Sequence, residues 1–180
     1  MTSINKKAIA AMFVAGLGAA AFTGPAMAAN STATATARIY QAMTIGAAST
    51  NIDFGILTPT AGGNVTVNGD NTLNVGAAAT ATAGTPSAAT FAVTGLASTS
   101  YSIDTTTGSS ANLTSGANTM SVSFTAYSFN TSNTYATSGT TASTDGSGND
   151  TLRVGATINV GAAQAAGTYT GTASVTVDYN

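Results

Sequence analysis

In "DGSGNDTLRVG", residues 145–155, Asp145, Ser147 and Asn149 alternate with the spacing that an EF-hand loop uses to bring side-chain oxygens to calcium. Such a loop also needs a glycine at its sixth position and a bidentate Glu to close it. Here the sixth position is Asp150, and the chain has no Glu at all. The stretch also resembles one unit of the Gly-Asp-rich nonapeptide that binds calcium in parallel β-helices. That chemistry requires stacked copies, because a single unit can neither supply the ligands nor bury its own face. An ordinary Asp/Asn/Gly turn is expected, with no metal.

Asp53 in "NIDFGIL" is a carboxylate beside an apolar strand. With no second titratable group in reach of prediction, it is expected to accept backbone N–H groups at a strand end. Asn30, Asn64, Asn112 and Asn130 open Asn-x-Ser/Thr triplets, but a chain this rich in Asn and Thr produces them by chance.

The wider inventory points away from catalysis. Charged residues are 6% of the chain, His and Cys are absent, and the acidic residues are all Asp. Metal centres and general acid–base or nucleophilic catalysis draw on the residues that are missing. The expectation is no enzyme and no cofactor. Formal net charge is −2, with four basic residues in total, so the clustered Lys and Arg that a phosphate backbone demands are lacking and nucleic acid is not the expected partner. Without Cys no disulfide can hold the domain.

Lys6 and Lys7, an apolar run from Ala8 to Phe22, the break at Gly24-Pro25 and the closing Ala26-Met27-Ala28 are the three regions of a secretory signal peptide. Residues 1–28 are therefore expected to be a leader, cleaved before Ala29. The apolar run is too short for the roughly 20 residues of a membrane span, and the mature form is expected to carry no span. Export through the periplasm to the cell surface follows as the expected route.

These side chains would be positioned by strands. From Ala29 onward Thr, Val, Ala and Gly dominate and apolar residues alternate, which predicts strands near 33–45, 50–57, 64–67, 89–95, 99–104, 119–129, 151–160 and 168–179. Turn clusters separate them, and residues 131–150 read as a long polar surface loop. About eight short strands predict an all-β antiparallel sandwich, with 43% apolar residues, many of them Ala, making a thin core. Phe91 and Val93, followed by Tyr101 and Ile103, suit a hairpin across Gly95–Ser98. Met120, Val122, Phe124 and Ala126 share a face, with Phe129 out of phase. Two segments stand out: Ala33, Ala35, Ala37 and Ile39 alternate with Thr and Arg near the start, while Tyr169, Gly171, Ala173, Val175, Val177 and Tyr179 alternate with polar residues at the end.

"NIDFGIL", "ATFAVTG" and "LRVGATINVGAAQAAGTYTGTASVTVDY" resemble the secreted bacterial DUF4402 family, related to spore-coat-U type subunits of archaic chaperone–usher pili. The resemblance runs from about Arg38 to Asn180. Pilin subunits end on an alternating strand with a penultimate aromatic and a glycine about 14 residues from the end; Tyr179 and Gly167 stand there. The resemblance implies an immunoglobulin-like sandwich lacking one strand, which is filled first by a periplasmic chaperone and then by the N-terminal extension of the next subunit.

On that basis residues 29–38 are the expected donor extension and 39–180 the pilin-like sandwich. Ala33, Ala35, Ala37 and Ile39 are the expected donor face. Gly167, Tyr169, Ala173, Val175, Val177 and Tyr179 form the expected acceptor groove and chaperone-binding strand. The implied function is a fimbrial subunit serving adhesion or biofilm formation, whose partners are copies of itself, a chaperone and an outer-membrane usher. The competing reading is a self-contained surface or matrix sandwich in which residues 31–45 pair within their own chain. A carbohydrate-binding module is the weakest reading: without Trp, its aromatic platform reduces to Tyr127, Phe129 and Tyr135.

Overall fold

The computed structural model describes residues 30–128 and 141–180. The expected leader, Phe129, Tyr135 and residues 131–140 of the expected long loop lie outside these. The chain divides into a unit ending at Ala37 and a body from Arg38 to Asn180.

The described residues form strands and turns without helix: β1 (Thr44–Ile45), β2 (Ile56–Pro59), β3 (Gly63–Val67), β4 (Leu73–Asn74), β5 (Ala79–Ala83), β6 (Ala89–Thr94), β7 (Ser100–Asp104), β8 (Asn112–Ser115), β9 (Asn118–Ser128), β10 (Thr141–Ser143), β11 (Asn149–Val160) and β12 (Thr176–Tyr179). All strand pairs are antiparallel, and the fold is the all-β, sandwich-like one that the alternation predicts, curled towards a half-barrel.

β11 organises the larger sheet. One of its edges pairs with β9, which continues to β8. The other edge takes β6 along Asn149–Val154 and β3 along Ala156–Val160, and these carry β1 and β4 respectively. The second layer consists of β10–β7–β12 and the separate pair β2–β5. Leu152, Val154, Ala156, Ile158 and Val160 of β11 are all buried, as a strand whose inner face covers the core requires.

Two apolar clusters fill the interior. One gathers Val93, Tyr101, Ile103, Leu152 and Val154; the other gathers Val65, Ala78, Met120, Ile158 and Val160.

Gly155 sits where β11 passes from β6 to β3. A Cβ there would fall on the Val67 carbonyl oxygen, so only glycine allows the two backbones to approach. Gly155→Ala is expected to cost about 3 kcal/mol through overpacking. Thermal unfolding should register this as a loss of about 6–12 °C in Tm; an unchanged Tm would mean that the sheet opens there freely.

Several sequence expectations need correction. The predicted strand 33–45 reduces to Thr44–Ile45, and residues 30–42 carry no regular structure. Alternation specifies which face a strand would bury, but a strand forms only against an edge, and a face of alanines offers little burial to hold one. The expected strand 168–179 is regular only over β12, and that at 50–57 only from Ile56, preceded by isolated bridges at Thr50 and Asp53. β6 and β7 do not form the expected hairpin: β6 pairs with β1 and β11, β7 with β10 and β12, so Gly95–Thr99 carries the chain between layers. A two-residue hairpin forms instead at β8–β9, closed by Gly116-Ala117, with Gly116 at a φ of 58° that the tight turn requires.

Candidate functional site

The last segment, residues 167–180, crosses both core clusters. Tyr169 packs against the second cluster, and Val175 and Val177 against the first. Tyr169, Ala173, Val175, Val177 and Tyr179 are all half-buried, while Thr168, Thr170, Thr172, Thr176 and Asp178 are exposed. The alternation read from the sequence is thus the division between inside and outside for these side chains, whereas Gly167 and Gly171 are exposed and Ser174, of the polar phase, is half-buried.

One edge of this segment is held along its length. β12 pairs with β7 in the register Thr176↔Asp104 to Tyr179↔Tyr101. Upstream, Thr170 and Thr114 exchange both main-chain bonds, at 2.9 and 3.0 Å, and Ser110 N–H donates to the Thr172 carbonyl at 2.8 Å. Between these points the ladder lapses, and side chains take its place. Thr172 N–H donates to Ser110 Oγ at 3.0 Å, and Ser174 N–H to Ser109 Oγ at 2.8 Å. In sequence these serines read as an ordinary turn cluster, and nothing in their spacing marks the role.

Tyrosines fasten both ends. Tyr169 Oη accepts from Gln164 Nε2 at 2.7 Å and donates to the Ala165 carbonyl at 2.9 Å, which fixes the turn that leads out of β11. Tyr179 Oη accepts from Leu96 N–H at 2.6 Å and donates to the Gln41 carbonyl at 2.9 Å.

The other edge is different. Among the described residues β12 ends its sheet, and β2 pairs only with β5. Yet the segment 43–57 covers the same two clusters as the last segment. Met43, Ile45 and Ile52 lie against the first, as do Val175 and Val177; Phe54 and Leu57 lie against the second, as does Tyr169. All of these side chains are only half-buried. Two edges therefore share one core with no described ladder joining them. A sheet edge with no neighbouring strand among the described residues, beside half-covered apolar side chains, makes a surface suited to receiving an extended chain.

Ala33, Ala35 and Ala37 are exposed and without regular structure, and Ile39, in the body, is 93% exposed.

The carboxylates serve turns and the core. Asp53 Oδ1 accepts from Gly55 N–H at 2.7 Å, the strand-end role expected of it. Asp145 Oδ1 accepts from the N–H groups of Ser147 and Asn149, both at 2.8 Å, which is the turn expected there. Asp104 accepts from the hydroxyl and amide of Thr106, and these bonds hold its carboxyl below the ordinary carboxylate range. Buried Asp150 accepts from Tyr101 Oη at 2.5 Å and Ser128 Oγ at 2.6 Å. Burial, and then Asp150 itself, raise the Tyr101 hydroxyl, keeping it a donor. Among the described residues no three His, Cys, Asp or Glu gather as metal ligands, and no helix is long and apolar enough to cross a membrane.

Compared with known proteins, the chain matches no curated relative and no solved structure. The family model "Domain of unknown function (DUF4402)" matches residues 43–179, which take in every strand from β1 to β12. On the strength of that match, the chain belongs to the DUF4402 family.

Proposed function

We propose that this protein is a structural subunit of an extracellular fimbria, assembled by donor-strand exchange and akin to the spore-coat-U type subunits of archaic chaperone–usher pili. The observation that carries the reading is the seam over the core, where residues 43–57 and 169–179 half-cover the same two clusters without a ladder between them. The N-terminal segment supplies the complement: small apolar side chains at Ala33, Ala35, Ala37 and Ile39, spaced to face one way, on a stretch with no strand of its own. An incoming strand satisfies the free edge through its main chain and takes its register from its side chains. Because the donor face and the groove are different patches, the contact is heterologous and propagates as a filament.

In this reading the leader exports the chain to the periplasm, a chaperone covers the seam until an outer-membrane usher exchanges it for the next subunit, and the surface filament serves adhesion or biofilm formation. Ala35→Asp and Ala37→Asp place a charge that would have to be buried in the neighbour's groove, at a cost of several kcal/mol. Each should abolish filaments in electron micrographs and sedimentation while leaving the Tm of the body within about 2 °C, since exposed substitutions rarely move stability by more than about 0.5 kcal/mol. Undiminished polymer from both variants would refute this register. A wild-type chain that stays monomeric would favour the self-contained sandwich.

A further inference from the structure

Tyr179 joins parts of the chain that the donor-strand reading treats separately. Its hydroxyl ties the main chain at Gln41 to the main chain at Leu96, at 2.9 and 2.6 Å. Its ring meets Tyr40 edge-on, with centroids 5.8 Å apart and planes at 66°. Gly95 makes this approach possible, since a Cβ there would lie 2.7 Å from the hydroxyl oxygen. Two residues beyond Gln41, Met43 packs against the first core cluster, and β1 then begins its pairing with β6. Exposure changes abruptly on the other side: Tyr40 is 54% exposed and Ile39 is 93% exposed.

We infer that Tyr179 sets the limit of the donor segment, holding Tyr40–Met43 in the body so that Ile39 is the last residue a neighbouring copy can receive. The inference rests on the donor-strand reading above. Drawing Tyr40 and Gln41 into a neighbour's groove would break the bond that the half-buried Tyr179 hydroxyl donates to Gln41 and the aromatic contact with Tyr40, and would strip Met43 from its cluster. Ile39 gives up almost nothing and is the largest apolar side chain that the segment can offer. The subunit thereby measures its own donor: its last strand receives one neighbour while its penultimate side chain decides how much chain is left for the other.

The test uses the mature chain and three fluorescent peptides, residues 30–37, 30–39 and 30–43, with binding read by anisotropy. Residues 30–39 should bind at least about 10-fold more tightly than 30–37, the effect of burying one Ile, and 30–43 should bind within about twofold of 30–39. If 30–43 binds 10-fold or more tightly than 30–39, the boundary at Ile39 is wrong while strand exchange stands. If no peptide binds, the donor-strand reading fails and the boundary with it. The clasp has its own readout: Tyr179→Phe keeps the ring but removes both bonds, so the Leu96 amide should exchange at least about 10-fold faster while β11 amides keep their protection. An unchanged Leu96 amide would mean that Tyr179 holds nothing there.

Discussion

Residues 29–180 carrying a second copy of residues 29–39 after Asn180, joined by a flexible linker of about four residues, are expected to remain monomeric and to unfold about 10–20 °C above residues 29–180 alone. The linker length is that of a hairpin loop, so the grafted strand returns antiparallel along the edge of the last segment that has no neighbour among the described residues, over the seam between residues 169–179 and 43–57. New backbone hydrogen bonds, at about 1 kcal/mol net each, are largely offset by ordering the donor at about 1–2 kcal/mol per residue. Apolar burial therefore decides the outcome. If the donor face and the half-buried Tyr169, Val175 and Val177 together remove roughly 200 Å² from water, the gain is about 5 kcal/mol at 25 cal/mol per Å². For a domain of this size, each kcal/mol is worth about 2–4 °C. Light scattering and thermal unfolding of the two chains settle it: two monomers of equal Tm would mean that the seam needs no added strand, and the fimbrial reading would be abandoned.

Tyr101→Phe is expected to destabilise the body strongly although it removes a single oxygen atom. Tyr101 is fully buried on β7, and its hydroxyl reaches Asp150 Oδ2 at the start of β11, so one bond ties the two layers together. Ser128 Oγ donates to the same oxygen at 2.6 Å. The phenylalanine fills the same space but withdraws a donor from a carboxylate that is 5% exposed. Weakening the compensation of a buried charge costs about 2–4 kcal/mol, a fall of roughly 5–15 °C in Tm. In a double-mutant cycle with Asp150→Asn, denaturant unfolding should give a coupling of at least about 1 kcal/mol between the two positions. A loss under about 0.5 kcal/mol for Tyr101→Phe would show that the hydroxyl adds nothing to the ring.

Much of this molecule was legible in its residues. The alternation of Val65 and Val67, of Val93 with Ala89, and of Leu152 through Val160 marked inner faces that are all buried. The same rule assigns the half-buried side chains of the last segment, Tyr169, Ala173, Val175, Val177 and Tyr179. Asp53 and Asp145 were readable as turn residues because an Asx side chain reaches amides two positions on, a purely local geometry. The partner of Tyr179 was not legible: Gln41 is 138 positions away, and no local pattern couples them.

Period two tells a chain which way its side chains face, and that much belongs to the sequence by itself. Whether a strand exists is decided by whether an edge lies beside it, which is a property of the tertiary structure. Ala79–Ala83, written Ala-Thr-Ala-Thr-Ala, pairs with β2, whereas the similar alternation at Ala33–Ala37 has no regular structure. Short strands such as β4 and β10 likewise exist only because β3 and β7 run past them. The physical reason is that a backbone hydrogen bond needs two partners, while the sequence of a segment specifies only one.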